Sequence, residues 1–209
     1  MDQIYDREQQ RSGESGMTFA EMMVVLVLLG VILAAVWMVF GATNKMSDFS
    51  NASMTSQDEN RAALDRISLD VREGQGLQDS GNLLHIFTII NPREMTLFSQ
   101  VDSDTTVERI HYYVSGNDLY RATSQQSATT SPAYPGSWTS EVPLKLVNDL
   151  SPAYAGAIFT YYGSAGTSPS ITTVTAVNVH LVTAFRSGSV TATTDSSSLT
   201  TVRSVVGQN

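Results

Sequence analysis

The sequence predicts an α+β protein in which one long amino-terminal helix is followed by an antiparallel β-sheet head. Three observations predict this arrangement. A run of 23 residues from Met22 through Asn44 has no charged side chain. Apolar residues at helical spacing follow this run, and short alternating segments separated by Gly, Pro and Asn fill the remainder. The predicted segments are 1–16 as a leader, 17–40 as a membrane-spanning helix, 41–74 as its amphipathic continuation and 75–209 as the head.

The apolar run is long enough to cross a bilayer, since a membrane-spanning helix needs about 20 residues. It is apolar on every side, which is typical of a helix in lipid or at the centre of a bundle. Residues 1–16 are polar and aperiodic, and we interpret them as a targeting segment. Glu21 is the single charge between Gly16 and Phe40. A carboxylate at the rim of a membrane is costly without a partner, so Glu21 is a candidate functional residue.

The amphipathic continuation should pack against the head through Leu64, Ile67 and Val71, which recur at spacings of three and four. Two pairs at a spacing of four, Arg61 with Asp65 and Arg66 with Asp70, are predicted on its exposed side. Two glycines, at 74 and 76, should end the helix.

The head is predicted to consist of short strands. The clearest hairpin turns at Ser115-Gly116-Asn117-Asp118, because Gly and Asn tolerate the positive φ of a tight turn. The predicted strands are 84–90, 95–99, 107–114, 119–122, 144–150, 157–162 and 174–185, with 199–206 as a further edge strand and 123–141 as a long loop. Alternation along the strands predicts one buried face, as in an antiparallel sheet packed on a helix.

Composition excludes several classes of function. The net charge is −8, and the 12 basic residues are scattered singly, so no nucleic-acid partner is predicted. There is no cysteine, which excludes disulfides, zinc–thiolate sites and thiol catalysis. No nucleophile motif such as GxSxG and no phosphate-binding glycine loop with a lysine is present. We therefore predict a protein that is not an enzyme and has no cofactor.

Metal sites have weak candidates in the head. Asp102, Asp104 and Glu108 could offer oxygens to Ca²⁺, but their spacing is not that of a 12-residue calcium loop, and a solvated turn is the commoner explanation. The three histidines, at positions 85, 111 and 180, are each predicted in a strand, where a packing role is far commoner than a metal triad. The tyrosine pairs at 112–113 and 161–162 are interpreted as sheet packing first and as an interaction surface second.

The start of the chain resembles a known family. Gly16, Met17, Thr18, Phe19, Ala20 and Glu21, followed by the apolar run, are similar to the class III signal of type IV pilins and of the pseudopilins of type II secretion. The resemblance implies a pilin-like fold. It also implies cleavage between Gly16 and Met17 by a prepilin peptidase, N-methylation of Met17, and a role for Glu21 in assembly through the freed amine of a neighbouring subunit.

The head has a looser resemblance, to the J-type minor pseudopilins and the W-type minor pilins. It is carried by Asp70-x-Arg72 in the helix and by the tyrosine-rich hairpin that ends in Leu119-Tyr120-Arg121. The resemblance implies a minor subunit at the tip of a pilus or pseudopilus. The expected partners are the prepilin peptidase, other subunits bound through the helix, and membrane lipid before assembly.

The resemblance also implies a location, with the leader in the cytoplasm and the head outside the cytoplasmic membrane. Two alternatives stay open. One is a single-pass anchored binding protein or adhesin, which would keep residues 1–16. The other is an anchored enzyme, for which the sequence offers no nucleophile or metal constellation.

Overall fold

The computed structural model describes residues 17–76, 78–79, 82–83, 85–99, 107–126, 137–152, 154, 156–164, 166–167, 169–187 and 190–202. By its internal contacts the chain divides into two units, Met1–Ser47 and Asp48–Asn209. A long helix followed by antiparallel sheets confirms the predicted α+β class.

The helix α1 extends over Phe19–Arg72. In the first unit its apolar side chains are exposed on all sides, for example Leu26 at 61 % and Trp37 at 78 %. By length and composition, α1 is the one helix in the described part of the chain that is able to span a membrane. A helix with apolar side chains on every side can lie in lipid or among other helices, because its backbone hydrogen bonds are satisfied within the helix.

In the second unit α1 packs on the sheets through the predicted apolar stripe. Leu64, Ile67 and Val71 are buried, and Ile67 and Val71 are completely inaccessible. The helix ends just before Gly74, which approaches neighbouring atoms closely. A Cβ at this position would lie 2.7 Å from Cγ2 of Ile86 and 3.1 Å from the carbonyl oxygen of Val71. Glycine therefore allows the chain to turn tightly from the helix into the sheet.

The strands of the described residues form three antiparallel sheets. Their bounds are β1 Gln78–Asp79, β2 Asn82–Leu83, β3 Phe87–Asn91, β4 Glu94–Ser99, β5 Glu108–Ser115, β6 Asp118–Gln125, β7 Val142–Val147, β8 Phe159–Gly163, β9 Gly166–Thr167, β10 Val174–Ser187 and β11 Val190–Thr201. The sheet orders are β1-β2, β3-β4-β5-β6-β7 and β11-β10-β8-β9.

The β5–β6 hairpin turns where the sequence predicts. Ser115 pairs with Asp118, so Gly116 and Asn117 form a two-residue loop. Gly116 has a φ of 62°, whereas Asn117 is not among the described residues with positive φ. Positive φ at the first central position alone is typical of a type II′ turn, whose twist matches that of the flanking strands.

Several predicted boundaries differ from the structure. The segment predicted as a loop over 123–141 contains the end of β6 and an isolated bridge between Gln126 and Trp138. The strand predicted at 199–206 begins much earlier, at Val190, and pairs with β10 over its whole length. Residues 203–206 of that prediction lie outside the described residues.

The prediction that Arg66 and Asp70 pair on the exposed side of the helix is wrong. Asp70 is fully buried and accepts hydrogen bonds from Tyr112 Oη and, at 2.7 Å, from Arg121 Nε. Arg66 Nε lies 3.3 Å from the other carboxylate oxygen of Asp70, and its side chain is partly exposed. The two residues do contact each other at a spacing of four, but the sheet covers Asp70.

This buried cluster of Asp70, Tyr112 and Arg121 links the helix to β5 and β6. Burial, and then the charge of Asp70, raise the pKa of Tyr112 well above its usual value, so its phenol stays a donor. Burial opposes ionisation of Arg121, but its hydrogen bond to Asp70, the charge of Asp70 and its interactions with Tyr112 together more than offset this and raise its pKa. The carboxylate is therefore matched by a cation and a neutral donor, which is the condition for holding a charge in a protein interior.

Candidate functional site: the start of the helix and Glu21

The first turn of α1 is closed by a capping box between Thr18 and Glu21. The Thr18 backbone N–H donates to Glu21 Oε2 at 2.8 Å, and the Thr18 hydroxyl donates to the same oxygen at 3.1 Å. In return, the Glu21 N–H donates to Thr18 Oγ1 at 3.3 Å. These bonds satisfy donors that a helix start otherwise leaves without partners.

The capping box is a feature that our sequence analysis missed. Its signal is present, because Thr18 and Glu21 have the spacing S/T-x-x-E immediately before an apolar run. The carboxylate also lies at the positive end of the helix macrodipole, which favours its ionised form electrostatically. Glu21 is thus stabilised by its own helix as well as being available to an external partner.

The two oxygens of the Glu21 carboxylate have different surroundings. Both intrahelical hydrogen bonds go to Oε2. Within the described part of the chain, Oε1 accepts no hydrogen bond. The side chain is exposed, so a donor from another molecule can reach this oxygen. Such a donor would be favoured strongly in apolar surroundings, where a charged group gains most from a partner.

The surroundings of Glu21 are apolar and accessible. Met17 is 62 % exposed, Phe19 77 % and Met22 56 %. Together with the uncharged run to Asn44, these residues form an apolar surface. Lipid or other apolar helices can cover such a surface. Glu21 is the one charged position on it.

The other predicted site residues are placed as follows. Met17 immediately precedes the helix, whereas Gly16, Asp102 and Asp104 lie outside the described residues. Glu108 is the first residue of β5 and 8 % exposed, and it accepts a hydrogen bond from Gln125 Nε2 at 3.3 Å. Glu108 therefore lies in a strand and not in the acidic loop that the sequence suggested.

Two of the three histidines have partners of their own. His111, in β5, lies between Glu94 and Glu141, with ring nitrogens 3.1 and 3.2 Å from their carboxylates. His180, in β10, contacts Tyr154 Oη and Asp195 Oδ1, each at 2.6 Å. His85 lies just before β3 rather than in a strand. Among the described residues, no group of three side chains of the metal-binding types is placed to hold an ion.

The tyrosine pairs have the predicted packing role. Tyr112 and Tyr161 are buried in the core, and Tyr161 Oη donates to the backbone oxygens of Asn91 and Glu94 at 3.2 Å. Tyr113 is half-buried and stacks on Tyr120 across the hairpin, with ring centroids 5.5 Å apart.

Comparison with known families bears on the start of the chain. Residues 11–37 match the family model for the prokaryotic N-terminal methylation motif, a span that includes Gly16, Met17 and Glu21. No curated protein matches the chain significantly. Proteins with this motif have structural rather than enzymatic roles. The motif implies processing by a prepilin peptidase and assembly with other pilins, and the apolar helix suggests single-pass membrane anchoring. The methylation motif, and the exposed apolar helix that carries it, support a type IV prepilin-like family for this chain.

Proposed function

We propose that this chain is a subunit of a type IV pilus or type II secretion pseudopilus, held in the membrane by its helix until it assembles. In this proposal a prepilin peptidase cuts between Gly16 and Met17 and the new amino terminus is methylated. The observation that carries the proposal is the match of residues 11–37 to the methylation motif, on a helix whose apolar part, up to Asn44, has Glu21 as its single charge.

The mechanism begins with the exposed apolar surface of α1. Lipid satisfies this surface before assembly, and the helices of neighbouring subunits satisfy it afterwards. Apolar contact alone does not fix the axial position of one helix against another, because lipid tails are as apolar as the partner helix. A specific polar pair is needed to select one register, as buried polar groups do in coiled coils.

Glu21 is proposed to supply that register. Its Oε2 stays engaged with Thr18, and its Oε1 accepts the freed amine of Met17 from a neighbouring subunit. The pair forms away from water, where the attraction between opposite charges is strong and where an unpaired charge would be costly. Mispaired registers leave both charges alone and are therefore disfavoured.

The test compares Glu21→Leu with Glu21→Gln in filaments formed with the wild-type partner subunits. Loss of one partner of a desolvated ion pair costs about 3 to 5 kcal/mol, so incorporation of both variants should fall by more than about a hundredfold. Glu21→Gln keeps an oxygen for the capping box, and it therefore separates the loss of charge from the loss of the cap. Membrane insertion of both variants should stay at the wild-type level.

Recruitment of Glu21→Leu into filaments at the wild-type level would contradict the register role. Recruitment of Glu21→Gln but not of Glu21→Leu would show that the cap, and not the charge, is what assembly requires.

The finer proposal is that the chain is a minor subunit at the filament tip, with its head outside the membrane. Its support is the resemblance of the head to J-type pseudopilins and W-type pilins. Asp70 and Arg121, which belong to the motifs quoted for that resemblance, meet in one buried cluster. Gold labelling of an epitope on the head should mark one end of each filament, and labelling along the whole length would contradict the tip position.

A further inference from the structure

We infer that the free edge of β11 accepts an extended, basic segment of a partner protein, which adds to the sheet as a further strand beside α1. The surface that we call the β11 groove is lined by residues 194–198 of this strand and by Asp58, Arg61 and Asp65 of the helix. All of these residues belong to the unit Asp48–Asn209. The inference goes beyond the proposed function, since it depends neither on the methylation motif nor on Glu21.

β11 is the edge strand of its sheet, and no described strand pairs with its other side. It is 12 residues long and pairs with β10 in continuous register. Its residues 190–201 include no lysine and no proline. Lysine, proline and bulges are the usual means by which a sheet edge is kept from pairing with another chain. β7, the edge of the five-stranded sheet, has Lys145, Pro143 and a shift in its register with β6. The edge of β11 has none of these and is therefore open to strand addition.

The ladder with β10 shows which backbone groups of β11 point to the free edge. His180 pairs with Ser197, yet its N–H donates to the carbonyl oxygen of Ile158 at 2.8 Å, away from β11. Ser197 is therefore in a non-hydrogen-bonded pair, and its own N–H and C=O point to the free edge. Because such pairs alternate along antiparallel strands, the same holds for Asp195 and Leu199. These three residues of β11 are exposed, so an incoming strand can form hydrogen bonds with their backbone.

The helix forms one wall of the β11 groove. Thr200 Oγ1 donates to Ser68 Oγ at 2.8 Å, and Ser198 Oγ lies 3.3 Å from the same atom. The side chains at 198 and 200 thus face the helix. The groove beside them has a volume of about 590 Å³. An added strand would lie about 4.8 Å from β11, and every second side chain of that strand would point towards the helix.

The charges of the β11 groove favour a basic occupant. Asp58 and Asp65 are exposed on the helix with Arg61 between them, and Asp195 lies on β11. The groove thus has three carboxylates and one guanidinium. Among the described residues, neither Asp58 nor Asp65 forms an ion pair. The β11 strand of a second copy has no basic residue and could not neutralise these carboxylates. Lysine or arginine at alternate positions of an incoming strand would do so.

The experiment measures how a short peptide in which lysine and threonine alternate binds to the full chain in micelles of a neutral detergent. At a peptide concentration of about ten times the Kd, hydrogen exchange of the backbone N–H groups of Asp195, Ser197 and Leu199 should slow about tenfold. Exchange at Ser196 and Ser198, whose N–H groups face β10, should stay unchanged. A matched peptide with methylated backbone nitrogens keeps the charge but cannot form the ladder, and it should give no protection. A peptide of alternating glutamate and threonine should bind at least about fivefold more weakly.

Variants of the protein test the two walls of the groove separately. Asp65→Asn should weaken binding of the lysine peptide about twofold to fivefold, which is the contribution of one exposed ion pair. Asp48→Asn, at an exposed position of the same helix outside the groove, is the matched control and should bind as the wild type does. Ser197→Pro removes an N–H that points to the free edge, so β-sheet circular dichroism should stay intact. Binding to Ser197→Pro should be at least about fivefold weaker, because the incoming strand loses a hydrogen-bond donor.

Equal binding of the methylated and unmodified peptides would overturn strand addition, and this comparison needs no change in the protein. Equal binding of the acidic and basic peptides would overturn the basic partner. Protection of the same N–H groups when the protein concentration is raised without peptide would assign the edge to a second copy and overturn the inference as well. None of these outcomes changes the expected cleavage after Gly16 or the role of Glu21, so the proposed function is tested independently.

Discussion

Asp70 shows how one residue can join the helix α1 to the sheets of the head. Its carboxylate is inaccessible to water and is held by Arg121 from β6 and Tyr112 from β5, two neighbouring strands of one sheet. A buried charge of this kind contributes little net stability compared with a well-packed apolar group. It penalises any shift of the helix along the sheet, however, because a shift would leave the charges without partners.

Asp70→Asn should destabilise the head strongly. The change leaves Arg121 buried without its carboxylate, and breaking a buried pair in this way costs about 3 to 5 kcal/mol. The matched control is Asp65→Asn, an exposed position on the same helix, where a change within about 0.5 kcal/mol is expected. The measurement is guanidinium unfolding of the full chain in detergent, followed by the fluorescence of Trp138, which stacks on Phe98. Equal midpoints for the two variants would contradict the role of Asp70.

The sequence predicts some of these residues and not others, for a physical reason. Leu64, Ile67 and Val71 are recognisable because burial of a helix face imposes a period that neighbouring residues repeat. Asp70 is not recognisable, since its partners Tyr112 and Arg121 are distant along the chain and the nearby Arg66 offers a local explanation. The Thr18–Glu21 cap is recognisable from the local spacing S/T-x-x-E, and the same Glu21 belongs to the motif that implies an external partner.

At the scale of the elements, β7 is the strand most exposed to solvent in its sheet. It is an edge strand, and its Pro143 cannot donate a backbone hydrogen bond, which suits an edge position. It is joined to β6 by Lys145 Nζ, which lies 2.7 Å from Asp118 Oδ2. The other oxygen of Asp118 accepts the backbone N–H of Asp149 at 3.2 Å.

The attachment of β7 should weaken in acid. The hydrogen bond from Lys145, and then that from the Asp149 backbone, lower the pKa of Asp118 below its usual value. Because this pKa is lowered on folding, the ionised Asp118 contributes its full stabilisation at a pH above the pKa of the unfolded chain, which is about 3.9. This stabilisation is lost as the pH falls through the pKa of the folded protein. Carboxyl NMR titration should show Asp118 ionising at lower pH than in Lys145→Met. Identical titration curves would show that Lys145 has no such effect.

The strand β11 shows the limit of pattern analysis for an element. Its segment Val190–Ser198 is rich in Ser and Thr and lacks the apolar alternation that marks a half-buried strand. Its structure depends on β10, with which it pairs in continuous register from Ser187–Val190 to Ala176–Thr201. Only Leu199 and the residues after it carried a strand signal, and the prediction therefore began nine residues late.

At the scale of the whole molecule, the burial of two tyrosine side chains in the core predicts that the protein unfolds at alkaline pH. Burial raises the pKa of Tyr112, and burial followed by the charge of Glu94 raises that of Tyr161. Because the pKa of each tyrosine is raised on folding, the neutral phenols contribute their full stabilisation at a pH below the pKa of the unfolded chain, which is about 10. This stabilisation is lost as the pH rises beyond that value. Phenolate absorbance from these two residues should appear only together with loss of β-sheet circular dichroism.

Tyr161→Phe provides the control for this prediction. It removes one of the two phenols whose ionisation accompanies alkaline unfolding, and it keeps the aromatic ring. The variant should unfold at higher pH than the wild type. Phenolate formation by Tyr112 and Tyr161 with intact circular dichroism would contradict the burial of the two side chains.

We propose that residues 1–16 are a leader, which is removed before the helix assembles. Intact-mass spectrometry of the membrane-extracted protein, from cells with and without prepilin peptidase, tests this claim most directly. We expect a chain that begins at Met17 and carries one methyl group when the peptidase is present, and full-length protein when it is absent or when Gly16 is replaced by Leu. Full-length, unmethylated protein in the presence of an active peptidase would contradict the claim and favour a permanently anchored binding protein.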